Sequence, residues 1–280
     1  MAYWLLNLLF AVKTAFCSCQ PEARRLGLRT GKADYQVVKV GRLPAVINES
    51  SGLTRRPGRP TLLTHNDSGG RPTLYDIDRR GTLLDSLPLP VPNVDWEAVT
   101  SDDSAVVFVA DIGNNLNNRQ NLAVYRVRLE APAAVDTIRF RYADQTAFPP
   151  PAAGRNYDSE AVFYRADTLH LFSKNRSGRQ VRYYQLPAQP GDYVLTPRDS
   201  VFVSGMVTDA AISPDGRTFA LLTYGKLLLF AVPTSGMTVT QPIRCLRVPR
   251  GQTEAIAFIS NTDLMMTNEK GKLFLIRKKP

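Results

Sequence analysis

Trp96-Glu97-Ala98-Val99 is one of five versions of a single short phrase in this chain. The others are Ser50-Ser51-Gly52-Leu53, Ser159-Glu160-Ala161-Val162, Thr208-Asp209-Ala210-Ala211 and Thr253-Glu254-Ala255-Ile256. With the small third residue as marker (52, 98, 161, 210 and 255), the steps are 46, 63, 49 and 45 residues. A repeat of this length, filled with short β-type runs, marks a β-propeller with one four-stranded blade per repeat.

Each phrase opens a set of apolar runs separated by Gly, Asp and Pro turns. The first set continues through Thr61–Thr64, Thr73–Ile77 and Thr82–Leu87, and the second through Ala105–Val109, Leu122–Val127 and Asp136–Tyr142. These runs are rich in Val, Ile, Tyr and Phe, the residues of strands. The last repeat has one strand too few, and Tyr35–Val40 is an orphan strand ahead of the first. Pairing that N-terminal strand with Leu273-Phe274-Leu275 completes the last blade and removes two exposed sheet edges. The expectation is therefore an all-β, five-bladed propeller closed by an N-terminal strand. The long second step carries Phe148-Pro149-Pro150-Pro151, which reads as a loop; a sixth blade hidden there is the alternative.

The chain has 280 residues and a formal net charge of +10. Its Arg residues are scattered over strands and turns without interleaved aromatics, which argues against a nucleic-acid partner. Residues 1–19 read as a signal peptide of the lipoprotein type: an apolar run too short to span a bilayer, then Phe16-Cys17-Ser18-Cys19 with Cys19 as the lipid-bearing residue. No Lys or Arg precedes that run, and Lys13 interrupts its end. Residues 20–34 read as a linker and 35–280 as a single propeller domain. The expected location is the cell envelope, periplasmic or on the outer membrane or cell surface through the lipid anchor, or secreted, with the chain as a monomer. With Cys17 and Cys19 in the signal region, Cys245 is left alone, so no intramolecular disulfide is expected and Cys245 reads as a buried thiol.

In a blade, the start of the first strand and the end of the second lie on one face. The starts carry Glu97, Glu160, Asp209 and Glu254, and the ends carry His65-Asn66-Asp67, Asp111, Lys174 and Glu269. All are expected at one mouth of the central channel. Converging carboxylates repel one another unless they protonate, pair with a base or hold a cation. Carboxylate and amide oxygens are hard ligands that favour calcium. Glu97, Glu160, Glu254, Asn66 and Asp111 are the candidate metal ligands, and Asp209 the candidate catalytic base. Trp96, His65, Asp67, Lys174 and Glu269 are the candidate ligand-binding residues. Trp96 reads either as a wedge between blades or as a stacking platform at the mouth. A repeated carboxylate at a strand start can equally cap backbone N–H groups of the neighbouring blade.

Leu63-Thr64-His65-Asn66-Asp67-Ser68-Gly69, Val94-Asp95-Trp96-Glu97-Ala98, Ala110-Asp111-Ile112-Gly113-Asn114-Asn115, Asp158-Ser159-Glu160-Ala161 and Thr208–Gly216 together resemble a family of secreted, uncharacterised bacterial β-propeller proteins. The resemblance covers roughly residues 40–277 and implies fold and compartment. More distantly, the chain is similar to calcium-dependent lactonase and gluconolactonase propellers, where Glu, Asn and Asp from several blades hold a metal at the channel mouth. Two functions follow. One is an exported binding propeller that takes a cation, or a small or glycan-like ligand, at the mouth. The other is a calcium-dependent hydrolase of esters or lactones, with a carboxylate as general base.

Overall fold

The computed structural model describes residues 18–30, 34–176, 180–249 and 251–279. Before the ring come helix α1 (Gln20–Leu26) and strands β1 (Arg29–Thr30) and β2 (Tyr35–Arg42). Blade one is β3 (Ser50–Arg55), β4 (Leu62–Asn66), β5 (Thr73–Ile77) and β6 (Leu83–Pro88). Blade two is β7 (Trp96–Ser101), β8 (Val106–Asp111), β9 (Leu122–Arg128) and β10 (Val135–Tyr142). Blade three is β11 (Ser159–Arg165), β12 (Thr168–Ser173), β13 (Gln180–Pro187) and β15 (Asp199–Phe202); β14 (Gly191–Leu195) leaves it to pair in parallel with β10. Blade four is β16 (Val207–Ile212), β17 (Thr218–Thr223), β18 (Lys226–Ala231) and β19 (Pro242–Arg247). Blade five is β20 (Thr253–Phe258), β21 (Leu264–Asn268) and β22 (Lys272–Lys278), with β2 as its outer strand.

The molecule is thus a five-bladed β-propeller, and the ring closes as the orphan strand required. Val37 faces Ile276, Val38 faces Leu275 and Lys39 faces Phe274 in antiparallel register. The long second step holds no sixth blade; it contains a short 3-10 turn at Ala152–Gly154. Blades stack face to face, so their alternating apolar side chains form five separate clusters, one at each seam. Leu63, Leu74, Trp96 and Val109 fill the seam of blades one and two. Phe163, Phe172, Phe219 and Phe230 fill that of blades three and four.

The cysteine reading is corrected. Cys19 and Cys245 form a disulfide, with Cα atoms 5.7 Å apart. The Cys19 sulfur is engaged in this bond, and Cys245 is not a free thiol; Cys17 lies outside the described residues. What read as a linker folds onto blade four: β1 pairs in parallel with β19, Thr30 opposite Cys245. Glu22 of α1 is fully buried, accepting from Lys226 Nζ at 2.5 Å and from the Ser204 amide at 2.7 Å. Burial alone would raise the Glu22 carboxyl, but the Lys226 ammonium and these hydrogen bonds outweigh it and hold it below the usual range.

Candidate functional site at the acidic mouth

One local device repeats in all five blades. The register between first and second strand slips by one residue between Ser50 and Gly52, Trp96 and Ala98, Ser159 and Ala161, Val207 and Asp209, and Thr253 and Ala255. A bulge leaves one residue unpaired and re-aims its side chain. The residues so placed are Ser51, Glu97, Glu160, Thr208 and Glu254. The fourth blade departs from the phrase alignment by one position: Thr208, not Asp209, is the bulged residue.

That one-residue difference decides the fate of Asp209, since a shift of one turns a strand side chain to the other face. Asp209 stands where the other blades have Gly52, Ala98, Ala161 and Ala255. At Gly52 an added Cβ would lie 2.7 Å from the Val99 amide of the next blade. At the equivalent place, Asp209 Oδ2 accepts the Ile256 N–H at 2.7 Å, and Oδ1 accepts the Ala210 N–H at 2.7 Å. Burial pushes this carboxyl well above the usual range, against those two hydrogen bonds. Asp209 is a peg between blades four and five. The Thr208 hydroxyl donates to the Thr253 carbonyl at 2.7 Å across the same seam.

The remaining carboxylates divide into three groups. Glu160 is paired with Lys174, and Arg176 reaches it at 3.4 Å while also pairing with Asp158. Glu254 accepts from the Tyr224 hydroxyl at 3.0 Å and shares a hydrogen bond with Glu269. Burial, with the Glu269 charge adding to it and Lys174 opposing, pushes Glu254 up to about 8. The third group joins blades one and two. Asp67, Asp95 and Glu97 bring carboxylate oxygens within 4.8 Å of one another. Burial, reinforced first by Asp67, pushes Asp95 up to about 6, and burial raises Glu97 well above the usual range with Asp67 and Asp95 acting the same way. Among the described residues no ion pair engages any of the three. The Ser51 hydroxyl donates to Glu97 Oε2 at 3.5 Å.

This trio is held from behind by residues expected to be ligands themselves. Asp111 accepts the Asp95 N–H at 3.1 Å and pairs with Arg119 at 2.8 Å. Asn66 accepts the Glu49 amide at 3.3 Å and donates to the Val46 carbonyl at 2.9 Å, shaping the loop that carries Asp67. Asn93 donates to the Asp67 carbonyl at 2.9 Å and accepts the Trp96 amide at 3.1 Å, tying that loop to blade two. Gly113 has no room for a side chain: a Cβ there would lie 2.3 Å from the Asp95 carboxylate and 2.4 Å from Glu97 Oε1.

The structure therefore brings Asp67, Asp95 and Glu97 together as one oxygen-donor set. It assigns Glu160 and Lys174 to each other, Glu254 and Glu269 to each other, and Asp111 and Asn66 to bracing. Trp96 is fully buried, edge-on to His65 at 5.6 Å, with its indole N–H on the Pro92 carbonyl at 2.9 Å. It packs as a wedge in the seam of blades one and two. His65 is also fully buried, its Nδ1 against the Asn66 carbonyl at 3.0 Å, and burial lowers its pKa. Sequence reasoning quoted Asp95 but gave it no part; its place one residue ahead of the first strand, mirrored by Asp158, was the available signal.

No family model and no curated protein matches the chain. Among solved structures, the chain is similar to the PQQ-bound aldose sugar dehydrogenase of Streptomyces coelicolor, at 10% identity and TM-score 0.54, over 89% of this chain and 99% of that one. It is also similar to a protein of unknown function from Bacteroides thetaiotaomicron, at 8% identity and TM-score 0.48, over 88% of this chain and 76% of that one. Hydrazine synthase of Kuenenia stuttgartiensis matches at 13% identity and TM-score 0.44, over 79% of this chain; the chain spans 56% of the length of that one. At such identities the sugar dehydrogenase likeness bears on the fold alone: this chain is a β-propeller.

Proposed function

We propose that this chain is an exported binding propeller that holds a hard divalent cation, calcium by its ligand chemistry, at the Asp67–Asp95–Glu97 cluster, and through it a small or glycan-like ligand. The observation that carries the reading is the convergence of three carboxylates within 4.8 Å, none of them held in an ion pair among the described residues. Two of them are half-buried and meet solvent. Calcium takes six to eight oxygens, so three carboxylates leave positions open for water or ligand hydroxyls.

Export is supported by the Cys19–Cys245 disulfide, since such bonds persist in oxidising compartments, and by the resemblance to secreted propellers. The hydrolase reading needs a base beside the cation. Asp209, expected in that part, is spent on the Ile256 amide, so binding stands ahead of hydrolysis.

Calorimetric titration of the chelator-stripped protein tests this. Calcium should bind with about 1:1 stoichiometry, and Asp95→Asn with Glu97→Gln should abolish binding while the protein stays folded. Absence of binding to the wild type, or equal binding to the double variant, overturns it.

A further inference from the structure

A cavity of about 560 Å³ lies away from the mouth, on the flank of blade two. It exists because β14 departs from blade three and adds a fifth strand to blade two, in parallel with β10 from Ile138–Gly191 to Tyr142–Leu195. The connector between β6 and β7, with Val91 and Pro92, forms the facing wall. Strand alternation sends Arg139 and Arg141 outward on this face, while Ile138, Phe140 and Tyr142 turn inward. Arg139 has Ala123 opposite it on β9 and Asp192 opposite it on β14. The small Ala123 side chain leaves the floor open.

Two cations two residues apart on one strand stand about 7 Å apart. Among the described residues, no carboxylate lies within ion-pair distance of either arginine, although Asp192 is Arg139's neighbour in register. On the neighbouring strand Arg126 is answered, pairing with Asp136 at 3.0 Å. Two unanswered guanidinium groups in a concave site of ligand size favour a bound anion, and guanidinium forks match carboxylates. The groove also presents acceptors, the Asp192 carboxylate and the Gln120 side-chain amide, which suit hydroxyl donors. Val194, opposite Arg141 in register and exposed, adds a small apolar surface beside the two arginines.

We propose that this groove binds an anionic saccharide, a short sugar chain bearing carboxylates. Arg139 and Arg141 hold the carboxylates, and Asp192 and Gln120 take sugar hydroxyls. The site is separate from the mouth and needs no cation.

Tetragalacturonate is the probe, titrated in EDTA so that the mouth plays no part. Its fully methyl-esterified form supplies the same sugars without charge, and single-stranded DNA supplies charge without sugars. The wild type should bind tetragalacturonate at least tenfold more tightly than either control. Arg139→Gln with Arg141→Gln should weaken binding at least tenfold without lowering the melting temperature, since both side chains are exposed. Arg79→Gln with Arg80→Gln, an exposed pair on blade one, and Asp95→Asn with Glu97→Gln at the mouth should leave it unchanged. Equal binding of the neutral ester or of DNA overturns the proposal, as does retained binding in the Arg139/Arg141 variant. An equal loss in the Arg79/Arg80 variant overturns it too, because net charge alone would then explain the affinity.

Discussion

Asp209 Oδ2 accepts the backbone N–H of Ile256 at 2.7 Å, joining the inner strand of blade four to that of blade five through a side chain. The other blades place Gly or Ala at this position. The carboxylate thus serves the ring and not the mouth, and both parts of that statement can be measured.

Asp209→Ala leaves a buried N–H without its partner, which costs about 1–3 kcal/mol. Chemical denaturation should show that loss, with Asp209→Asn closer to the wild type because one amide oxygen remains. Calcium affinity of the folded Ala variant should be unchanged. A variant as stable as the wild type would remove the peg.

Calcium-free stability should fall as pH rises from about 5 to 8.5. Asp95 is raised to about 6 and Glu254 to about 8, so the folded state favours their protonated forms. Stability from a raised carboxyl is present below its ordinary pKa and lost as pH climbs through the folded value. Denaturant midpoints should therefore decline across that window. Glu254→Gln should flatten the upper half of the decline and Asp95→Asn the lower half. A midpoint that rises with pH would contradict both shifts.

Calcium should offset the decline at pH 8. A ligand that binds the folded state alone adds RT ln(1 + [L]/Kd), about 2.7 kcal/mol at a hundredfold excess over Kd. Glu160→Gln should leave this gain in place, because Glu160 already belongs to Lys174. Gly113→Ala should remove it, because the new methyl would sit where the Asp95 carboxylate now lies. Melting curves with and without calcium decide the matter; a Gly113→Ala protein that still gains stability would mean the carboxylates sit elsewhere.

Lys226→Met should destabilise the fold by about 3–5 kcal/mol, since it strands the Glu22 carboxylate in a dry site. Pairing it with Glu22→Leu should restore most of the loss. Reduction of Cys19–Cys245 should also lower the melting temperature, by removing a tether between residues 226 apart in sequence, a constraint of about 2–4 kcal/mol. If the single Lys226→Met variant matches the wild type, the N-terminal helix is not docked as described.

The five-fold repeat, the closing strand and the acid-rich mouth were legible from residues alone, because each follows from a local pattern. Period-2 apolar runs dictate strands, turn residues space them, and Tyr35–Val40 had no other partner without leaving an open edge. The strand starts and ends at one mouth follow from antiparallel pairing. Which carboxylates meet which partners depended on tertiary structure. A bulge at Thr208 instead of the neighbouring residue turned Asp209 to the opposite face, and no spacing rule reveals where a bulge falls. The pairing of Asp67 with Asp95 and Glu97 needs the curvature between two blades, which sets distances no single strand records. Cys19 meets Cys245 only because the chain circles the whole ring before blade four receives the N-terminal helix, and proximity across 226 residues leaves no mark on either neighbourhood in the sequence.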